Sequence, residues 1–275
     1  MRVLVISDIH ANLEALEACM AAAPEHDWSV NLGDIVGYGA SPNEVTEKAR
    51  QISRQFVRGN HDKACTRLMD LRDFNPIAAA AAVWTGETLS PPHLEFLRAL
   101  PAGPVELMLQ DAAPDPPGAR PAAHSVSHSA AHSDVPLLVH GSTLDEDEYV
   151  ITAAEAMDVL GRSSVRLTFF GHTHIQGGFS MAQDGASHSF RPSFGNRNER
   201  QQVTMRLEPG IRYMINPGSV GQPRDGDWRA AFLLYDSDPG EITFYRLPYN
   251  IERAQQKIFD AHLPPRLATR LAEGR

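Results

Sequence analysis

Five short apolar runs in this chain each stop at residue types that hold metals, and that rhythm constrains the fold more than any other feature. Arg2–Ser7 runs into Ser7-Asp8-Ile9-His10, Trp28–Leu32 into Gly33-Asp34, and Gln55–Arg58 into Gly59-Asn60-His61-Asp62. Leu137–Val139 reaches His140-Gly141, and Arg166–Phe170 reaches Gly171-His172-Thr173-His174. Runs of this length and β-branched content read as buried strands. Helix patterns separate the first three. Asn12 caps Leu13–Ala23, with Leu13, Leu16 and Met20 on one stripe and Pro24 as the stop, and Ser41 caps Pro42–Ile52. Strand, polar tip and helix recur at roughly the 30-residue period of βαβ units, so the expected class is α/β. In an open α/β sheet the loops at the carboxyl ends of the strands gather in one crevice. Asp8, His10, Asp34, Asn60, His140, His172 and His174 are therefore expected together.

The rest of the chain supports that frame. Asn75-Pro76 and Ser90-Pro91 each open a helix in the cap-then-proline arrangement, and Val105–Leu109 reads as a strand. Residues 111–134 are rich in Pro, Ala, Ser and His with almost no large apolar residue; they cannot build a core and read as a surface insertion. His124, His128 and His132 within them share a helical spacing, but solvated linker residues are the expectation. Residues 181–208 form a second polar stretch, expected as an elongated hairpin or loop. Ala230–Asp236 and Glu241–Arg246 alternate as a hairpin around Asp238-Pro239-Gly240, and Ile251–His262 closes the chain as an amphipathic helix. The reading is one domain over 1–275 with insertions at 111–134 and 181–208.

Composition removes several function classes. Apolar residues make up 42% and charged residues 21%, which excludes wholesale disorder. The net charge of −9 disfavours a broad nucleic-acid surface, and the acidic run Asp145–Glu148, read as a helix start or surface feature, would repel a polyanion. With only Cys19 and Cys65 there is no disulfide framework and no cysteine-based zinc site. No apolar run approaches the ~20 residues that span a bilayer. The N-terminus turns acidic too early for a signal peptide, so a soluble protein of the reducing cytoplasm is expected. Oligomeric state leaves no mark on the sequence.

The gathered residue types suit two divalent transition metals. Imidazole favours Zn, Fe, Mn or Ni over the all-oxygen shells of Mg and Ca, while Asp and Asn add hard oxygens and a carboxylate can bridge two ions. If strand geometry persisted through Asp8-x-His10 and His172-x-His174, each pair would point one way. A lone Asp-x-His or His-x-His signifies little. Five such elements in order, each after an apolar run, carry the signal.

Taken together these motifs resemble the calcineurin-like metallophosphoesterases. Gly33-Asp34-Ile35-Val36-Gly37-Tyr38-Gly39 and Asn216–Asp225 (NPGSVGQPRD) further resemble that family's small bacterial and archaeal phosphodiesterase branch. The resemblance implies a four-layer αββα sandwich of two mixed β-sheets flanked by helices. It implies that Asp8, His10, Asp34 and His174 hold one metal, and that Asp34 bridges to a second completed by Asn60, His140 and His172. In-line attack by a metal-bound hydroxide on a phosphate ester would follow, with manganese as the leading ion and Fe, Zn or Ni as alternatives. Asp34, Asn60 and His61 are the expected catalytic residues: His61 stabilises the transition state or protonates the leaving group, or else orients Asn60 or Asp8. Asp62 is expected to orient its neighbours.

Departures from the wider family bear on substrate. The serine/threonine protein phosphatases of the family carry an arginine after the Gly-Asp and another after the Gly-Asn-His-Asp. Here those places hold Ile35–Gly39 and Lys63-Ala64. Without that bidentate grip on a dianionic monoester, a phosphodiesterase acting on a nucleotide or other small diester is expected. Arg58, Arg224 and Tyr38 are the candidate substrate contacts, each also readable as structural. Alternatives are a phosphomonoesterase or nucleotide pyrophosphatase, a cyclic-nucleotide or nucleic-acid-end phosphodiesterase, and a non-catalytic scaffold on the same fold. Loss of ligands would mark the scaffold, and all seven ligand positions are present with His61.

Overall fold

Side chains of the first strand, β1 (Arg2–Ile6), are buried on both faces: Val3 and Val5 face one core, Leu4 and Ile6 another. A strand with two apolar faces must be covered on both, and layering follows from that. The computed structural model describes residues 1–72, 74–109 and 135–275, so the 111–134 stretch with His124, His128 and His132 lies outside the described residues. After β1 come α1 (Leu13–Ala22), β2 (Trp28–Asn31), α2 (Pro42–Ile52), β3 (Ser53–Phe56) and the short α3 (Asn60–Cys65). Next are α4 (Pro76–Thr88), α5 (Pro91–Arg98), β4 (Val105–Glu106), β5 (Leu137–Leu138), α6 (Ala153–Arg162) and β6 (Leu167–Phe169). The chain continues through β7 (Gly177–Met181), β8 (Ser187–Phe190), β9 (Gln201–Arg206) and β10 (Arg212–Asn216). It ends with β11 (Ala230–Asp236), β12 (Glu241–Leu247), α7 (Ile251–Asp260) and α8 (Pro265–Glu273).

Two six-stranded sheets face each other, ordered β3-β2-β1-β11-β12-β9 and β4-β5-β6-β10-β7-β8. Both are mixed: β1, β2 and β3 run parallel, as do β5, β6 and β10, while the remaining pairs are antiparallel. Val3, Val5, Leu32, Phe169, Ile215, Leu233 and Phe244 fill the space between the sheets. Leu4, Ile6 and Phe232 point outward onto residues of α1, α2, α4, α7 and α8, such as Leu16, Val45, Ala81, Ile258 and Leu267. On the far side Phe170, Phe179 and Met214 pack with Val159 and Leu160 of α6. The four-layer αββα sandwich is the observed architecture.

Several elements differ from expectation for identifiable reasons. The third strand starts at Ser53 rather than Gln55, because α2 ends at Ile52 and the chain leaves the sheet at Arg58, whose N–H bonds the Pro101 carbonyl at 2.8 Å. The 181–208 stretch divides between the sheets: β7 and β8 form a hairpin, and β9 pairs with β12 at the edge of the other sheet. Edge strands need bury only one face, so polar composition did not betray them. The acidic run starts no helix; α6 begins later, where Thr152 and Glu155 form a capping box. A final helix, α8, went unread although Pro265 opens it and Gly274 caps it at φ +63°. Among the described residues no helix is long and apolar enough to cross a membrane.

Candidate metal centre

The loops after β1 and β2 are laced together before any side chain acts. Asp8 N–H bonds Gly33 O at 3.0 Å, His10 N–H bonds Asp34 O at 3.0 Å, and Ala11 N–H bonds Ile35 O at 2.9 Å. Strand geometry does not persist through these tips, contrary to the alternation argument. Asp8, His10, Asp34, His172 and His174 have φ of +53°, +50°, +53°, +63° and +58°, a left-handed region costly for residues with a Cβ. Turning the backbone there redirects each side chain inward. It also sends His174 and His172 to different clusters, as the family resemblance implies. Such strain persists only where the surroundings overdetermine it.

One buried carboxylate does much of that. Asp62, on α3, accepts the N–H groups of Asp34 at 2.9 Å, Ile35 at 2.9 Å, Val36 at 3.3 Å and Gly59 at 2.9 Å. Burial and then the Asp34 charge push its carboxyl up to about 7, while the backbone donors pull the other way. Gly59 is required for the approach: a Cβ there would lie 2.0 Å from Asp34 Oδ1. Asp62→Ala leaves those buried donors unpaired and is expected to lower stability by on the order of 3 kcal/mol. Equilibrium denaturation checks this; an unchanged midpoint would remove Asp62 from the scaffold of the site.

The histidine tautomers follow from their partners. Nδ1 of His10 faces Val36 O at 3.2 Å, that of His140 faces Leu32 O at 2.7 Å, and that of His174 faces Gln222 O at 2.6 Å. A carbonyl only accepts, so each Nδ1 carries the proton and each Nε2 turns its remaining position inward. His10 Nε2 and His174 Nε2 stand 3.1 Å apart, with His174 Nε2 3.2 Å from Asp8 Oδ1. His140 Nε2 lies 3.1 Å from His172 Nδ1, 3.3 Å from Asn60 Oδ1 and 3.5 Å from Asp34 Oδ2. Asp8, His10, Asp34 and His174 form one cluster and Asp34, His140 and His172 another, ligand atoms lying within 4.8 Å of one another in each. Asp34 belongs to both.

Acceptors facing acceptors in a buried space call for cations. Among the described residues Asp8 Oδ1 and Oδ2 and Asp34 Oδ2 are buried without a hydrogen-bond partner, while His172 presents Nδ1 toward His140. The donor set of carboxylates, imidazoles and one amide oxygen fits divalent transition metals. Burial raises the Asp34 carboxyl, but the charges of His140, His61 and His10 outweigh it and hold Asp34 well below the usual carboxylate range. Burial would lower His140; the Asp34 charge overrides it and lifts the imidazole to about 10. Burial, reinforced by the His140 charge, lowers His172 to about 3.

His61 sits beside the clusters without joining them. Its N–H bonds Asp34 Oδ1 at 2.8 Å, its ring lies edge-on to His10 at 4.9 Å and against Tyr38 at 4.2 Å, and its Nδ1 has no partner. Burial lowers its imidazole to about 4. The Asn216–Asp225 loop flanks the site: Gly221 N–H and Ser219 Oγ both donate to Asp8 O, and Arg224 N–H donates to His174 O. Asp225 and Asp227 pair with the buried Arg246 and Arg229, anchoring that loop from beneath. Tyr38 is buried under the Arg224 guanidinium, with Oη 3.4 Å from Nη2. Arg58 instead turns to Glu146, through Nε and Nη2 at 2.9 Å each. Lys63 meets Glu146 at 2.9 Å and Asp147 at 2.5 Å, so the Glu146 and Asp147 part of the acidic run is offset and its expected repulsion of anions is diminished.

Two residues at the site escaped sequence reasoning. Tyr149, 47% exposed, stacks on the His172 ring at 3.7 Å. Arg270 of α8 lies 5.7 Å from the Tyr38 ring centre. Neither carries a local signal, because both arrive from segments that turn polar side chains toward a site built elsewhere.

A model of the calcineurin-like phosphoesterase family matches residues 1–176. The uncharacterized protein MJ0912 of Methanocaldococcus jannaschii is 32% identical over 275 residues, 99% of this chain and 98% of that protein. Among solved structures, a metallophosphoesterase from Sphaerobacter thermophilus superposes with a TM-score of 0.76 at 36% identity, over 100% of this chain and 99% of that one. The hypothetical protein PH1004 from Pyrococcus horikoshii OT3 shares the fold, with a TM-score of 0.71 at 17% identity over 100% and 98% of the two chains.

Proposed function

This chain belongs to the calcineurin-like phosphoesterase family, and on that premise we propose that it hydrolyses phosphate esters with two divalent metal ions, diesters in preference to monoesters. The observation that carries the reading is the convergence of unpartnered acceptors in two clusters that share Asp34. Asp8, His10, Asp34 and His174 would hold one ion; Asp34, Asn60, His140 and His172 would hold the other. When bound, such ions supply Lewis acidity and activation of water near neutral pH. Manganese is the ion we assign first.

The chain's own side chains do the rest. Asp34 and Asn60 fix the relation between the two clusters, since the His61 N–H is tied to Asp34 Oδ1 and Asn60 precedes it at the start of α3. His61 stabilises the charge of the transition state or delivers a proton to the leaving oxygen. Tyr38 and Tyr149 wall the crevice on either side of Arg224. The preference for diesters is supported by the absence of arginine from the two places where the protein phosphatases of the family carry one, residues 35–39 and Lys63-Ala64, and by Lys63 being engaged by Glu146 and Asp147 and Arg58 by Glu146. We assign the substrate to small molecules rather than extended nucleic acid, on the net charge of −9.

The test is turnover of an aryl phosphate diester and its matching monoester by metal-stripped protein reloaded with Mn²⁺. Metal-dependent hydrolysis faster for the diester is the expected result. A metal-replete sample that hydrolyses neither ester overturns the enzymatic reading, and a faster monoester overturns the preference.

A further inference from the structure

Two guanidiniums beside the metal clusters are left over once the site is assembled. Arg224 donates to Tyr38 Oη at 3.4 Å and to Gln222 Oε1 at 3.2 Å, while its Nε is buried with no partner. Its charge reaches the metal residues: burial lowers His10, His61 and His174, and Arg224 adds to the push on each. Arg270 approaches the same ring, the two Cζ atoms lying 5.9 and 5.7 Å from the Tyr38 centroid. Its Nε donates to the backbone oxygen of Arg275. Burial and then the Arg224 charge lower its guanidinium.

Neighbouring arginines show how unusual this is. Arg229 and Arg246 each meet an aspartate, whereas Arg224 and Arg270 have no aspartate or glutamate partner among the described residues. Two like charges held close together, one with a buried orphan donor, make a preformed anion cradle. The cradle is rigid from both sides. Arg224 follows Gln222, whose carbonyl holds His174 Nδ1, and the end of α8 docks on the same loop through Gly226 N–H to Gly274 O at 3.0 Å. Tyr38 stands between cradle and metal clusters, its ring 4.7 Å from His10 and 4.2 Å from His61. Because the Tyr38 ring touches both, the guanidiniums and the His10 ring are not adjacent but lie within the reach of a sugar-sized spacer.

We propose that Arg224 and Arg270 form a second anion subsite that takes a further phosphoryl group of the substrate, so that the preferred ester is a small molecule bearing two phosphoryl groups on a sugar-sized spacer. The proposal rests on the phosphoesterase reading above for the position of the first phosphoryl group. Calorimetric titration of the Mn²⁺-loaded chain with thymidine 3′,5′-bisphosphate and thymidine 5′-monophosphate tests it, with inorganic phosphate release assayed alongside so that heat of hydrolysis is separated from heat of binding. The bisphosphate should bind about tenfold more tightly, the worth of a charge-assisted hydrogen bond. Arg270→Ala should bring the two affinities together, and Arg270→Lys should restore part of the gap. A thermal midpoint close to that of the unaltered chain shows that α8 is intact in the variant. Equal affinity for both nucleotides in the unaltered chain, or a gap that survives Arg270→Ala, overturns the subsite. If the gap depends on Arg270 while no phosphate ester is hydrolysed, the subsite stands and the phosphoesterase reading falls.

Discussion

Replacing Asp34 by alanine is expected to empty both metal positions at once. Metal analysis should fall from two ions per chain to below one, and kcat/KM by more than about 10³-fold, beyond the 10–100-fold carried by outer-shell partners of a metal. The expectation follows from its double membership: Asp34 Oδ2 is 3.6 Å from His10 Nε2 in one cluster and 3.5 Å from His140 Nε2 in the other. Among the described residues no other belongs to both. Asp34 also accepts the His61 N–H, so Asp34→Asn, which keeps an acceptor oxygen but removes the charge, separates loss of metal from loss of loop geometry. Two ions per chain in metal-loaded Asp34→Ala would overturn the bridging assignment.

His61→Ala should do the opposite, keeping both metals while slowing turnover by ~10²–10⁴. His61 belongs to neither cluster, and the bond it gives Asp34 comes from its backbone, which alanine retains. What alanine removes is the ring between Tyr38, His10 and Phe74, together with its unpartnered Nδ1. Single-turnover kinetics on a variant with full metal content reads the chemical step directly. A rate equal to that of the unaltered chain would leave His61 as packing alone.

How much of this was legible in the sequence depends on how locally each feature is encoded. The ligands stood out because each follows an apolar run, and five strand ends in one crevice is a statement about topology that periodicity can make. Asp62 as an orienting residue was legible for the same reason: it sits at the start of a helix beside the ligand loop. The left-handed turns at His10, His172 and His174 were not, since sequence signals for that region are Gly and Asn, and histidine adopts it here only because the loops bind one another. The division of 181–208 between two sheets was hidden because β9 buries only alternate residues of a polar segment. Tyr149 and Arg270 were hidden more deeply. Their places at the site come from tertiary docking of a loop held by Lys63 and of a helix at the far end of the chain.

The Asp62 clamp has a consequence for the life of the protein as a metal carrier. Backbone hydrogen bonds to Asp62 hold the loops that carry Asp34 and Asn60, so an arriving ion would not have to position those side chains alone, while any ion bound only by the folded chain would still add to its stability. A scaffold of this kind fills with whatever suitable divalent ion its surroundings supply, because the carboxylate and imidazole set imposes no strict choice among first-row metals. If the proposed ions bind there, cellular abundance would decide which one is resident.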